Sequence, residues 1–436
     1  MIRYTVLFTA FFIQISVIRS QELKRRASWE ANFVGTTLEV GTRIISIEEK
    51  SPLEKAGLKE GDILLSVNDR LIDSSEKWTS ITFAIRGDES TKLIYRRGNE
   101  TITTLVKLNP LGIEKHEGLD TYYESIISDY GISQRTIVTK PKHMSGRMPA
   151  IMLIQGLSCS TIEKYSGRGG NWVNQINYIV ENSGMVVMRV DKPGVGDSEG
   201  DCSETDFITE LSGYRAAIRS LKGKKYVDTT RIVIYGASMG SALAPLLANE
   251  FNLAGIISDG TFFKTWYEHM LEIERRIREM EGDDQSTIVK KMNEGYIPLY
   301  HGMLIRKQSY EEVIKKNPAL KDYNYHAPRH MYGRPVEYYH QLQDMNLAGE
   351  WSQVKVPVRI LYGSNDWIMS EFDNHMIINE LDRIGHEDHE LLIYPGLDHW
   401  NTIHKTPGDS YFFRKGEWDP KVPEIVLNWI NDMIEE

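Results

Sequence analysis

The sequence predicts a doubly wound α/β sheet of mostly parallel strands that carries a helical lid and is preceded by a small β-rich unit. Three observations predict it. Short apolar runs alternate with helix-length segments over more than 200 residues, as strand–helix crossovers onto a buried parallel sheet require. Ahead of them, residues 28–111 are cut by glycine and proline into short alternating stretches, the mark of small strands joined by turns. About ninety residues, 261–351, separate two of the apolar runs, which is too many for a connection and suits an inserted lid.

Length and composition bound what such a chain does. At 436 residues it is large enough for two or three domains. Its 41% hydrophobic, 26% charged and 10% aromatic content is that of a packed globular protein. A formal net charge of −10 denies it the basic footprint that nucleic acid or an anionic membrane surface needs. The first twenty residues stand apart. After Arg3, the run from Thr5 to Ile18 is too short to span a bilayer but suits a secretory h-region, with Ile18-Arg19-Ser20 as a passable cleavage site. Residues 1–20 are read as a signal peptide, and the protein as exported, periplasmic or extracellular. An uncleaved anchor followed by Lys24, Arg25 and Arg26 is the alternative.

Within residues 28–111, Gly41 to Glu48 alternates as a strand with one buried face. Ser51 can cap a short helix with Pro52 at its first position and Gly57 at its end. A second strand, Ile63 to Asn68, follows, then a helix from Ser75 to Ile85, then strands Lys92 to Arg96 and Thr101 to Leu108 joined by the turn Arg97-Gly98-Asn99-Glu100. The run Ser51-Pro52, Ala56-Gly57-Leu58, Gly61-Asp62-Ile63-Leu64 and Val67-Asn68 closely resembles the signature of PDZ domains in bacterial exported proteins. The resemblance implies a groove between a strand and a helix that takes an extended peptide or a free C-terminus by strand addition. It puts the carboxylate loop at Phe33, Val34 and Gly35, the groove strand at Thr36 to Val40 and the groove helix at Ser75 to Ile85. Packing against the neighbouring domain is the other use of that face. Leu108 to Gly112 is a short break, so the two parts are close neighbours.

Residues 113–436 carry the chemistry. Glu124 to Ser128 and Gln134 to Thr139 open as an antiparallel pair. Ala150 to Ile154, Met185 to Val190, Arg231 to Tyr235, Gly255 to Ser258, Val358 to Tyr362 and His389 to Tyr394 follow as buried strands. The run Arg231 to Tyr235 leads into Gly236-Ala237-Ser238-Met239-Gly240 and then the apolar helix Ser241 to Ala248. Strand, Gly-x-Ser-x-Gly and helix in succession are the setting of a nucleophile elbow, where a strained turn lifts Ser238 to the positive end of a helix. A serine needs a base, and the base a carboxylate to orient it. Asp366 follows the strand Val358 to Tyr362, and His399 follows the strand ending at Tyr394. Asp259 and Asp398 compete for the role of the acid. The oxyanion donors are taken as the N–H groups of Met239 and Leu157, the latter in Gln155-Gly156-Leu157.

These motifs resemble those of the α/β-hydrolase superfamily over residues 113–436. Gln155 departs from the histidine common in relatives, and Asp191 to Gly200 resembles their Gly-x-Gly-x-Ser loop. That arrangement makes the strands ending at Ile154 and Val190 parallel neighbours, so the resemblance implies a disulfide between Cys159 and Cys202, whose loops leave the same sheet edge. Two buried thiols are the alternative. The lid is rich in aromatics, from Trp266 and Tyr267 to Tyr338 and Tyr339, which either line a pocket for a bulky acyl or aromatic group or form the lid's own core. His386, His389 and His404 lie near His399 as conceivable metal ligands, but His386 to Glu390 reads as a solvated loop. No phosphate loop, dinucleotide fingerprint or zinc motif is present, and no cofactor is called for. The expectation is an exported serine hydrolase acting on a small-molecule carboxylic ester. A serine peptidase of the same fold and a non-catalytic peptide-binding protein using the PDZ groove are the alternatives. The identity of the ester is not written in the sequence.

Overall fold

The computed structural model describes residues 22–34, 40–163 and 170–435. Residues 1–20, Gly35 and the groove-strand positions Thr36 to Glu39 lie outside the described residues.

In the N-terminal part, β1 (Ala31–Phe33), β2 (Thr42–Ile47), α1 (Pro52–Lys55), β3 (Ile63–Val67), β4 (Arg70–Leu71), α2 (Ser75–Ala84), β5 (Ser90–Arg97) and β6 (Glu100–Lys107) follow one another. The strands form an antiparallel sheet in the order β1-β2-β3-β5-β6, with β4 on β3. Ser51 caps α1 by accepting from the Glu54 N–H, Pro52 starts it, and Gly57 leaves it with φ +87°. The buried face of β2 is Thr42 and Ile44, packed with Leu53, Leu64, Ile81 and Leu93, while Ile45 faces out.

The larger part follows the expected strand–helix alternation. It runs β7 (Leu119–Ile127), β8 (Ser133–Pro141), β9 (Met148–Ile154), α3 (Asn171–Asn182), β10 (Val186–Val190), α4 (Phe207–Lys222), β11 (Val227–Ala237), α5 (Met239–Phe251) and β12 (Gly255–Asp259). The insertion that follows holds α6 (Trp266–Met280), α7 (Gln285–Lys291), α8 (Ile297–Tyr300), α9 (Tyr310–Lys316), the two-residue strands β13 (His330–Met331) and β14 (Arg334–Pro335), α10 (Val336–Gln343) and α11 (Leu347–Trp351). The chain returns through β15 (Val358–Gly363), α12 (Glu371–Arg383), β16 (His389–Tyr394), α13 (Pro407–Tyr411) and α14 (Lys421–Glu435). The eight-stranded sheet has the order β16-β15-β12-β11-β9-β10-β8-β7, parallel except for β8 against β10 and β7 against β8. Alternate residues of one strand reach opposite faces. Ile151 and Leu153 of β9 pack under α3 and α14, whereas Ala150, Met152 and Ile154 join the core that holds α4, α5, α12 and the lid.

Most aromatics of the insertion belong to the core shared with the sheet, α4 and α5. Trp266, Tyr296, Tyr300, Tyr338, Tyr339 and Trp351 are buried, while Tyr325 and Tyr332 stay partly open with their hydroxyls 2.8 Å apart. Glu274 of α6 is fully buried, accepts a 2.6 Å hydrogen bond from the Tyr300 hydroxyl, and is pushed up to about 7 by burial. Cys159 and Cys202 form a disulfide with Cα atoms 5.9 Å apart.

The two parts meet through a short arm, residues 22–27, ahead of the small sheet. Ala27 bridges to Pro110, and the Leu111 N–H donates to the Arg26 carbonyl. Arg25 and Arg26 both pair with Glu163 at 2.5 Å, Arg25 also pairs with Asp197, and Asp197 takes Arg135 as well, at 3.0 Å. Of the charged flank that the sequence offers for an anchor, Arg25 and Arg26 are thus tied in between the parts, while Lys24 stays exposed. Among the described residues no helix is long and apolar enough to cross a membrane.

Candidate active site

The turn from β11 to α5 holds Ser238 at φ 55°, ψ −120°, a conformation costly for any residue with a side chain. Its neighbours must be glycine. A Cβ on Gly236 would stand 2.3 Å from the Gly240 carbonyl oxygen, and one on Gly240 would stand 2.2 Å from that of Ile154. The Ser238 N–H donates to the Asp259 carbonyl at 2.8 Å, which ties the turn to β12.

Ser238 Oγ lies 2.9 Å from His399 Nε2, and His399 Nδ1 lies 2.8 Å from Asp366 Oδ2. The other oxygen of Asp366 accepts the N–H groups of Ile368 and Met369, each at 2.8 Å, so the carboxylate cannot rotate away from the imidazole. With Nδ1–H donated to the carboxylate, Nε2 keeps a lone pair that accepts from the serine hydroxyl. Burial pushes His399 down, but the charge and hydrogen bond of Asp366, with Asp259 and Asp398 beyond, outweigh it and hold the imidazole above its ordinary value.

The rival acids have other partners. Asp259 accepts from the Tyr235 hydroxyl at 2.8 Å and from Asn401 at 3.5 Å, and burial pushes it up to about 6. Asp398 accepts from the N–H groups of Trp400 and Thr402 and from Ser410, and pairs with His404 at 3.3 Å, so it shapes the loop that presents His399.

Met239 follows the serine in the chain, and Leu157 follows Gly156. Neither N–H has an acceptor among the described residues. Gly156 lies so close that a Cβ there would stand 2.9 Å from Ser238 Cβ. Gln155 is buried, with its amide 3.4 Å from the Val190 carbonyl.

His386 Nε2 sits 2.9 Å from the Val356 carbonyl oxygen, and His389 pairs with Asp382 at 3.1 Å. Among the described residues no group of three histidine, cysteine or acidic side chains is arranged to hold a metal ion. In the small part, Phe33 packs on Trp29 and Trp78 at ring separations of 5.7 and 5.0 Å, and the Val34 N–H donates to Arg43.

Sequence reasoning missed the buried polar residues around the serine loops. Lys192 and Arg334 are fully buried. His269, also fully buried, stacks on Phe262 at 4.8 Å, and burial, with Arg276, His399 and Lys264 nearby, pushes its imidazole well below the usual range. Lys192 lies two residues past the end of β10, where loop residues approach an elbow, and that position was the one signal available.

Comparison with known proteins gives two family matches. The model described as serine aminopeptidase, S33 matches residues 167–403, and a PDZ domain matches residues 15–108. Esterase EstD of Thermotoga maritima is 21% identical over 296 residues, 67% of this chain and 64% of that protein. Serine protease HTRA1B of Danio rerio is 37% identical over 83 residues, 19% of this chain and 16% of that protein. This chain therefore spans less than two thirds of the length of either relative. Among solved structures, the Pyrococcus furiosus esterase Pf2001 superposes with a TM-score of 0.45 at 12% identity, covering 74% of this chain and 96% of that one. Acetyl xylan esterase 1 from Thermoanaerobacterium does so with a TM-score of 0.44 at 14% identity, covering 74% and 86%.

Proposed function

Because this chain belongs to the serine aminopeptidase S33 family of α/β-hydrolases and bears a PDZ domain ahead of it, we propose that it is an exported serine hydrolase cleaving carboxylic esters through an acyl-Ser238 intermediate. The observation that carries this is the unbroken relay from Ser238 through His399 to Asp366, at 2.9 and 2.8 Å. His399 Nε2 takes the hydroxyl proton as Oγ adds to the ester carbonyl. The N–H groups of Leu157 and Met239 hold the resulting oxyanion. The imidazolium then gives its proton to the departing alcohol, and water, deprotonated by the same nitrogen, releases the acid and restores Ser238.

Ester over amide is favoured by the esterase relative that spans 67% of this chain. Residues 1–20 serve export in this account, and the disulfide is at home in an oxidising compartment. Residues 28–111 form the PDZ unit, open to a peptide or protein C-terminus, and residues 113–436 the hydrolase, with residues 261–351 as its lid.

A fluorophosphonate probe, followed by matched panels of simple esters and aminoacyl amides, tests the function. Labelling is expected on wild type and absent from Ser238→Ala, with kcat lower by roughly 10⁴ or more. Undiminished labelling of that variant removes Ser238 from the role, and faster turnover of the amides makes the protein a peptidase.

A further inference from the structure

We infer that Lys192 is a positioning residue for the oxyanion hole: its buried amino group sets the plane of the Gly156–Leu157 peptide so that the Leu157 N–H faces Ser238. The inference rests on the serine-hydrolase function proposed above.

Lys192 lies two residues beyond the end of β10, and its side chain is fully shielded from water. It donates to the carbonyl oxygen of Gly156 and, at 3.0 Å, to that of Ser158. A trans peptide points its C=O and its N–H in opposite directions, and the described residues contain no cis bond. Fixing the Gly156 carbonyl on the Lys192 side therefore turns the Leu157 N–H to the other side of the same plane. Gly156 also abuts Ser238, since a Cβ there would be 3.3 Å from Oγ. Without that amino group, the glycine before this peptide leaves the plane free to flip, and the donor is lost with little change elsewhere.

Burial and the nearby Arg334 push the Lys192 amine well below the usual lysine range, and a buried amine needs polar partners to stay in place. Glu210 of α4 lies 3.5 Å from it and is also bound by Arg334, which enters from the lid at β14. Arg334 in turn donates to the Cys202 carbonyl at 2.8 Å and contacts both sulfurs of the disulfide. Lys192, Glu210, Arg334 and the disulfide thus brace one loop from below, with Ser238 on its other side.

The test compares Lys192→Met, Lys192→Gln and Lys192→Arg with wild type and with Ser238→Ala on one small ester. It adds the binding of a trifluoromethyl ketone of the same acyl chain, which forms the tetrahedral adduct, and of the matching methyl ketone, which does not. For Lys192→Met, kcat is expected to fall by about 10² to 10³, as for loss of an oxyanion donor, with KM nearly unchanged. The trifluoromethyl ketone should weaken in the same proportion while the methyl ketone binds as before, and Lys192→Arg, which can still span both carbonyls, should recover much of the loss. Should Lys192→Met fail to fold, Lys192→Gln, which keeps one short donor, carries the same comparison. A folded variant with wild-type kcat, or one with reduced kcat and undiminished trifluoromethyl ketone affinity, overturns the role of Lys192. Activity surviving in Ser238→Ala would instead overturn the proposed function, so the two failures are distinct.

Discussion

Asp366 meets the imidazole with one oxygen and two backbone amides with the other. Replacing it by asparagine keeps the shape but presents an amide N–H or a neutral oxygen to His399, so the tautomer that accepts from Ser238 is no longer favoured. Asp366→Asn is expected to lower kcat by about 10³ to 10⁴. The pH profile gives an independent readout. The base works only when neutral, and Asp366 is the main influence holding it above its ordinary value against the downward push of burial. Wild-type kcat/KM should therefore fall with decreasing pH through an apparent pKa above the 6.5 of free histidine. In Asp366→Asn burial dominates, and that limb should move to lower pH. If Asp259→Asn proves more damaging than Asp366→Asn, the acid is Asp259.

At the scale of elements, helix α6 buries the carboxyl of Glu274 in the lid core with the Tyr300 hydroxyl as its donor. Burial raises it from 4.5 to about 7, so the folded state holds its proton more tightly than the unfolded chain does. Its contribution is fully present below pH 4.5 and is lost as pH rises through 7. Glu274→Gln should flatten the fall in stability between those values, measured by urea unfolding at several pH values, and should gain most over wild type above pH 7. The elements themselves were largely legible in sequence. The buried parallel strands are continuous apolar runs. The elbow was legible because steric crowding allows only glycine at 236 and 240. The choice among Asp366, Asp259 and Asp398 was not, since all three follow apolar strands and only the direction of each carboxylate separates them. Lys192, Glu210 and Arg334 were equally hidden. A lysine in sequence reads as solvated, and its burial depends on partners brought from far along the chain.

For the molecule as a whole, the arm at residues 22–27 decides how separable the two parts are. Glu163 and Asp197 are almost fully buried, and Arg25 and Arg26 supply much of their neutralising charge. Among the described residues, a chain beginning at Ile113 leaves those carboxylates with Arg135 on Asp197 as their remaining cation. It is expected to lose about 3 to 5 kcal/mol of stability in urea unfolding, the penalty of breaking a buried pair from one side. The double replacement of Arg25 and Arg26 by methionine in the full chain should lose a similar amount. Small-ester turnover per folded molecule should stay close to that of the full chain, because every candidate catalytic group lies beyond residue 150. A truncated chain as stable as the full one would mean the arm contributes nothing.

The same arm sets an order of events during synthesis. Arg26 leaves the ribosome 137 residues before Glu163 and 171 residues before Asp197, the two groups it is built to meet. At about 5 to 20 residues per second, that interval is roughly ten to thirty seconds. The small antiparallel sheet, whose contacts are complete by Lys107, can close during that time. Its leading edge must wait with two uncovered guanidinium groups until the loops after β9 and β10 are made. The nascent chain is thus cationic at its front before it is anionic overall, and docking of the arm marks the moment at which the first-made and later-made halves become one folded unit.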